Sequence, residues 1–333
     1  MTLSRKNGTI IKGAHLYKGV IFLKYDLRFS GKVRNVYESE DGTKLILCAT
    51  DRVSAFDKIL KAVIPGKGKY LTAISAFWSV WAESKGYDTA YYCCNVDTIP
   101  LINPYGKLDD PEFNTKEFAG RCTKMEKLRM FPVECIVRGH IYGSLWKEYQ
   151  KGAREFCGVH LPEGLNEGDK FLNEGDKSHE PIFTPTTKAP QGQHDENITF
   201  DEFADILRAE GHSADTAETV RELCLSLYKD AYAYVAQRGL ILMDTKFELG
   251  VDRYGTIRFG DELLTPDSSR YMYETKDTSG RKKFKSMDKQ IIRDFIAEQK
   301  ALGTEHPELA PEVIEATARA YAALIERLAR CTL

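Results

Sequence analysis

The stretch LILMDTKFELG, Leu240 to Gly250, decides how this chain is read. It starts apolar, lies between Gly239 and Gly250, and has the length of a strand. Asp244, Lys246 and Glu248 interrupt it at every second position. Side chains along a strand alternate between its faces, so these three charges share one face. On an exposed strand they would make a solvated ion-pair ladder. Here Leu240, Ile241, Leu242, Met243 and Phe247 are apolar, which predicts burial. Buried carboxylates need compensating cations.

The residues that follow sharpen this reading. DRYG, Asp252 to Gly255, suits a type I turn closed by glycine and leads into a second strand, TIRFGDE. With Val251 facing Thr256, Asp261 falls opposite Lys246 and diagonal to Glu248, within reach of a shared ion. Oxygen ligands without Cys or His suit Mg²⁺, which commonly binds substrate phosphates as well. The strand pair therefore predicts a metal–nucleotide site.

The bulk numbers narrow the class. The chain has 333 residues, 42% hydrophobic, with 47 basic against 49 acidic side chains. That length favours two or three lobes. The balanced charge argues against a nucleic-acid platform, and no apolar run reaches the ~18 residues of a membrane span. The N-terminus lacks a signal-peptide pattern, so a cytoplasmic location is expected. Eight cysteines are scattered without a C-x-x-C pair, which predicts reduced thiols over a disulfide framework or zinc site. The seven histidines show no metal-ligand spacing.

Along the chain, Lys32–Tyr37 and Lys44–Ala49 read as a hairpin with Asp41-Gly42 in its connection. LTAISAFWSVWAESKG reads as a helix ended by Gly86. PVECIVRGHIYGSLWKEYQKG passes from strand through a glycine turn into a helix. Residues 158–197 read as a long loop, with NEGD at 166–169 and again at 173–176. Helices are expected at 200–209 and 215–238, and a last one in PEVIEATARAYAALIERLARC, whose simplest role is packing.

A phosphate site needs donors. No P-loop signature occurs, and PGKGKYLT at 65–72 resembles one only superficially. SGKVRNVY is a better candidate: Gly31 admits close backbone approach, and Lys32 and Arg34 alternate onto one face. Arg138 ends an apolar strand just before Gly143-Ser144, which suits anion capture, although a surface salt bridge reads equally well. ATDRVSAFDK and LLTPDSSRY crowd further polar residues into short loops. These features favour a phosphorylated small-molecule substrate. They leave open a carboxylate–amine ligase, a small-molecule kinase or a non-catalytic nucleotide-binding module. Neither H-R-D nor D-F-G occurs, which disfavours a protein kinase.

Taken together, GKVRNVY, ATDRVSAFD, PVECIVRGHIYGSLWKEY, EPIFTPTTKAPQGQHDENI, MDTKFELG, DELLTPDSSRY and DKQIIRDF resemble the SAICAR synthetase family of purine biosynthesis, in order and over most of the chain. The resemblance implies an α+β, ATP-grasp-like architecture. A β-rich N-terminal lobe (1–130) would cover the nucleotide, a central α+β lobe (131–270) would hold the metal and substrate site, and a helical segment (271–333) would pack on the core. It implies ATP-dependent ligation of L-aspartate to a carboxyaminoimidazole ribonucleotide, with ATP and Mg²⁺, and small molecules rather than nucleic acid or membrane as partners. By the same resemblance, Glu248 and Asp261 would be metal ligands. Gly31, Lys32, Arg34 and Lys188 would meet ATP phosphates, and Met125 to Leu128 would form the adenine hinge. Arg138, Ser144, Asp244, Lys246, Asp267, Ser269 and Arg270 would hold the ribonucleotide, with Lys246, Asp244 and Arg138 closest to the chemistry. Ser54, Asp57, Lys289 and Arg293 would face aspartate. The family usually has Asp where Asn35 stands, a change expected to tune the hairpin.

Overall fold

The computed structural model describes residues 5–6, 9–10, 14–17, 20–56, 58–96, 106–172, 175, 178–189, 194–276, 278, 280, 282–304 and 307–329, with side chains from residue 24 onward except Lys282. Two antiparallel sheets carry the architecture. The first has five strands in the order Tyr91–Cys94, Cys122–Glu126, Lys44–Ala49, Arg34–Ser39, Tyr25–Ser30. The expected hairpin is present, with Arg34 opposite Ala49 and Glu38 opposite Leu45. Its connection closes because Gly42 adopts φ 69° and the Asp41 carboxylate accepts from the Ser39 hydroxyl and the Thr43 amide.

Cys48 faces Cys122 across this sheet, with Cα atoms 4.2 Å apart, and the two form a disulfide. This corrects the expectation of uniformly reduced thiols. A separation of 74 residues hides a pairing that sheet register alone creates.

Helix α1, Lys67–Ser84, packs beneath the first sheet. PGKGKYLT is its N-terminus. The Asp51 carboxylate accepts from the Gly68 amide (2.9 Å) and the Gly66 amide (3.3 Å) and pairs with Arg121. The amides that a phosphate would need are thus taken by the protein's own carboxylate. A Cβ at Gly68 would lie 2.5 Å from the Ala49 carbonyl, so close packing requires this glycine.

The second sheet is built around the long strand Ile241–Val251, flanked by Val133–Arg138 and Ser269–Lys276. Helices α2 (Gly143–Gln150), α3 (Phe200–Ala209), α4 (Thr216–Ala236), α5 (Gln290–Ala301) and α6 (Pro311–Ala329) complete the chain. Leu227, Tyr228, Ala231 and Val235 of α4 bury against Leu242, Phe247 and Leu249 of the long strand. Trp78 of α1 and Leu324 and Leu328 of α6 belong to the same core. The segment after residue 270 contributes more than helices, since Ser269–Lys276 and Lys282–Ser286 extend the sheet.

The first NEGD is an ordered docking piece. The Gly168 amide bonds to the Ile141 carbonyl (2.8 Å), and the Ile141 amide to the Asp169 carbonyl (2.9 Å). Leu161 and Phe171 bury with Ile141, Leu145 and Tyr149. In the second NEGD, 173–174 and 176 lie outside the described residues.

The hairpin after the long strand differs from expectation by one residue. Val251 faces Ile257, and Glu248 faces Gly260. The Asp252 amide bonds to the Thr256 carbonyl, leaving Arg253, Tyr254 and Gly255 as a three-residue loop with Gly255 at φ 87°. Asp261 consequently falls just past the strand end, at φ 50°, and does not oppose Lys246. Asp252 fixes this register: its carboxylate accepts from the Tyr254 and Thr256 amides and from Arg258 Nε. Asp252→Ala, which orphans these donors, is expected to lower stability by about 2–3 kcal/mol, measured by urea unfolding.

Candidate active site

The charged face of the long strand is buried and internally balanced. Lys246 Nζ lies 2.6 Å from Glu134 Oε1 and 3.2 Å from Glu248 Oε1, and Lys188 pairs with the second Glu248 oxygen. Arg34 pairs with Glu262 and, at 3.3 Å, with Asp261. Burial opposes charge on Glu248, yet Lys246 and Lys188 outweigh it and hold its carboxyl down to about 2. Burial also opposes charge on Lys246, which Glu248, Glu134 and Asp261 reverse, raising its pKa. Asp261 moves the other way: burial, Glu248 and Glu262 raise its carboxyl against the pull of Arg34 and Lys246. Acids and bases therefore alternate through the site, and Asp261 is its least compensated acid.

Glu134 is absent from the sequence-based assignment. Its signal was nonetheless present, since Glu134 and Arg138 are the charged alternate positions of the apolar strand VECIVR. That strand pairs with the long one, placing Ile136 beside Lys246 and Arg138 beside Asp244.

A cavity of about 340 Å³ lies over this face. Gly31, Lys32, Arg34, Lys188, Glu248 and Asp261 line its polar end. Val36, Leu45, Leu47, Ala90, Met125, Leu128 and Met130 line most of the rest, with Glu126 beside them. One end is thus an apolar slot between sheet strands, and the other is charged. Asn35 sits behind the Gly31 turn, where its Oδ1 accepts from the Ser30 hydroxyl and from Arg52, each at 2.9 Å. An aspartate there could accept the same two bonds.

A second cavity, about 670 Å³, is lined by Ser54, Tyr142, Ser144, Lys147, Glu167, Arg270, Lys289 and Arg293. Arg270 comes from the strand Ser269–Lys276, Lys147 from α2, and Lys289 and Arg293 from the start of α5, and Glu167 and Asp294 are the cavity's acids. The lining carries a cationic surplus suited to an anionic ligand. Gly143 begins α2 at φ 63°, so Ser144 lies in the helix's first turn, where amides favour anions. Beneath the cavity, Asp244 accepts from Arg270 and from Arg138 (3.4 Å), and Arg138 Nε bonds to Thr184 (3.0 Å). Arg270 Nε is buried with no hydrogen-bond partner among the described residues. The Ser269 hydroxyl is buried against that of Thr245, at 2.7 Å. Burial pushes the Lys289 ammonium down to about 8 despite the neighbouring Asp267. Asp267 itself meets protein on both oxygens, with Lys67 Nζ and the Tyr321 hydroxyl each at 2.7 Å. Asp57 lies outside the described residues.

The short segment from Asp261 to Arg270 joins the cavities, with Asp261 lining the first and Arg270 the second. Among the described residues no helix is long and apolar enough to cross a membrane.

Residues 27–309 match the family model for SAICAR synthetase. A phosphoribosylaminoimidazole-succinocarboxamide synthase of Lachnospira eligens is 41% identical over 301 residues, covering 90% of this chain and 93% of the relative. Among solved structures, the Saccharomyces cerevisiae SAICAR synthase complexed with SAICAR matches with a TM-score of 0.69 at 35% identity, covering 92% of this chain and 95% of that one. A SAICAR synthetase in complex with ADP shares the fold, with a TM-score of 0.61 at 24% identity over 90% of this chain and 96% of that one.

A Cβ on Gly143 would lie 2.7 Å from an Arg270 guanidinium nitrogen. Gly143→Ala is therefore expected to weaken ligand binding in the second cavity roughly tenfold or more, equivalent to about 1.4 kcal/mol. Affinity for Mg-ATP should stay within about twofold, both affinities being measured by calorimetry.

Proposed function

We propose a function from one premise: the chain belongs to the SAICAR synthetase family. It joins L-aspartate to the carboxylate of 5-amino-1-(5-phosphoribosyl)imidazole-4-carboxylate, consuming ATP and releasing SAICAR, ADP and phosphate. The observation that carries this reading is the pair of cavities, one with an apolar slot and charged end, the other rich in cations, joined by Asp261–Arg270.

The adenine would occupy the slot between Val36, Leu45, Leu47 and Met125 to Leu128, with its phosphates toward Gly31, Lys32, Arg34 and Lys188. The ribonucleotide phosphate would sit at Ser144 and Arg270, with Asp244, itself bonded by Arg138, holding Arg270 from below. Ser54, Lys289 and Arg293 would meet the carboxylates of aspartate. Lys246, paired with Glu134 and Glu248, would draw in the reacting carboxylate.

The chemistry follows from a leaving-group problem. An amine cannot displace oxide from a carboxylate. A carboxylate oxygen of the ribonucleotide first attacks the γ-phosphorus of ATP, the bond to the β-phosphate oxygen breaks, and ADP departs. The aspartate amine then attacks the acyl carbon and loses a proton as phosphate leaves. Lys246, Arg34 and Lys188 stabilise charge that moves between oxygens, and the rigid sheet keeps the reactants in line.

The donor set fits a divalent metal. Glu248 and Asp261 offer hard oxygen atoms beside a phosphate site, and Asp261 is a crowded acid that a cation would relieve. When bound, Mg²⁺ would supply neutralisation of charge on the transferring phosphoryl group. Two carboxylates plus substrate phosphates suffice for such a site, and no cluster of three or more metal-binding side chains occurs among the described residues.

The deciding measurement is ADP release from Mg-ATP with the ribonucleotide or aspartate omitted in turn. Full release with both, matched by succinocarboxamide product, is expected. Release of stable phosphorylated product without an amine would replace ligation by kinase activity, and no release in any mixture would overturn the catalytic reading. Glu248→Gln is expected to keep the fold and lower kcat/KM at least ~100-fold, the scale of a lost transition-state charge contact. Near-normal turnover of that variant at saturating Mg²⁺ would remove Glu248 from the metal site.

A further inference from the structure

Asp267 is the most enclosed acid on the segment that joins the two cavities. Its side chain is 4% exposed, and Lys67 is completely buried. Lys67 comes from the start of α1, and Tyr321 from the middle of α6. The sequence offers Tyr321 as one more apolar-stripe residue on a packing helix. Packing alone would be served by phenylalanine. A fully buried phenol needs a partner for its hydroxyl, and here that partner is Asp267 Oδ1 at 2.7 Å. The ring also packs on Ala49 of the first sheet and Leu71 of α1. One side chain therefore ties the first sheet and α1 to the joining segment. Residue 321 lies beyond 309, the last residue matched by the family model, so that match assigns it nothing.

We propose that Tyr321 is a positioning residue for the ligation: with Lys67 it clamps the Asp267 carboxylate against Lys289 and so fixes the amino-acid end of the substrate cavity. The proposal rests on the reading that Lys289 meets an anionic substrate. The charges facing Lys289 are Asp267, Arg293, Lys67 and Glu262. Burial disfavours its ammonium form, and Arg293 and Lys67 add to that, whereas Asp267 and Glu262 oppose it. Asp267 is the first of the counter-charges, and it works only while it stays in place. Without the phenol hydroxyl, one oxygen of a buried carboxylate loses its donor, and the carboxylate can move away from Lys289. Lys289 would then lose its proton at lower pH, and an anionic substrate would lose its partner.

The test is KM for L-aspartate and for ATP across about pH 6.5 to 9, for the full chain and for the variants Tyr321→Phe, Leu324→Ala and Lys289→Met. In the unsubstituted protein KM for aspartate rises as pH climbs through about 8, where Lys289 deprotonates. In Tyr321→Phe the rise begins roughly half a unit to one unit lower, making KM for aspartate at pH 8 about 2- to 5-fold higher. KM for ATP stays within about twofold, because the nucleotide cavity has its own support. Leu324 is a fully buried neighbour on α6 that packs in the main hydrophobic core. Leu324→Ala should lower the thermal midpoint without moving the pH profile. Lys289→Met should abolish the rise. A Tyr321→Phe profile that superimposes on the unsubstituted protein, or an equal shift in Leu324→Ala, overturns the proposal. An unchanged profile in Lys289→Met overturns instead the reading of Lys289 on which it rests. Asp267→Asn is the second variant: it removes the same counter-charge and must shift the profile in the same direction.

Discussion

Charge balance on one buried strand face constrains the rest of the molecule. Asp244, Lys246 and Glu248 stand at alternate positions of a strand whose other face is sealed in the core. Each needs an opposite charge, and each finds it off the long strand: Arg138 and Glu134 on one flanking strand, Arg270 on the other, and Lys188 in the 182–189 segment. Neighbouring strands and the 182–189 segment must all dock in register for those partners to meet. Removing Asp244 would leave Arg138 and Arg270 as uncompensated buried charges, which costs several kcal/mol.

That constraint was partly legible in the sequence. Period-two charges inside an apolar run announced the shared face, and DRYG announced the turn. The register was misjudged by one residue, because a glycine-closed turn can bound a loop of three or four residues. Asp261 nonetheless reaches the site, since its φ of 50° bends the chain back after the strand ends. Local pattern therefore identified the acid, while backbone geometry beyond the strand delivered it.

What stayed hidden was long-range. Glu134 pairs with Lys246 across 112 positions, Lys67 with Asp267 across 200, and Cys48 with Cys122 across 74. No window along the chain contains both members of any such pair. PGKGKYLT is the clearest case of an ambiguous local signal: its glycines resemble a phosphate loop, yet they serve close packing against Ala49 and amide donation to Asp51. The phosphate-like amides were real, and their partner was an internal carboxylate.

The segment from Asp261 to Arg270 explains why two cavities can act as one site. It is nearly inextensible, since ten residues with a φ of 51° at Leu264 and a Thr265-anchored turn leave little slack. The Ser268 carbonyl accepts from the Lys246 amide, so the segment is also stitched to the long strand. Its two ends present Asp261 to one cavity and Arg270 to the other. A ligation in two steps needs the group activated in one place to meet its nucleophile without diffusing away. Fixing both cavities to a single braced segment meets that need geometrically, and it makes the braces on Asp267 as consequential as the residues that touch ligand.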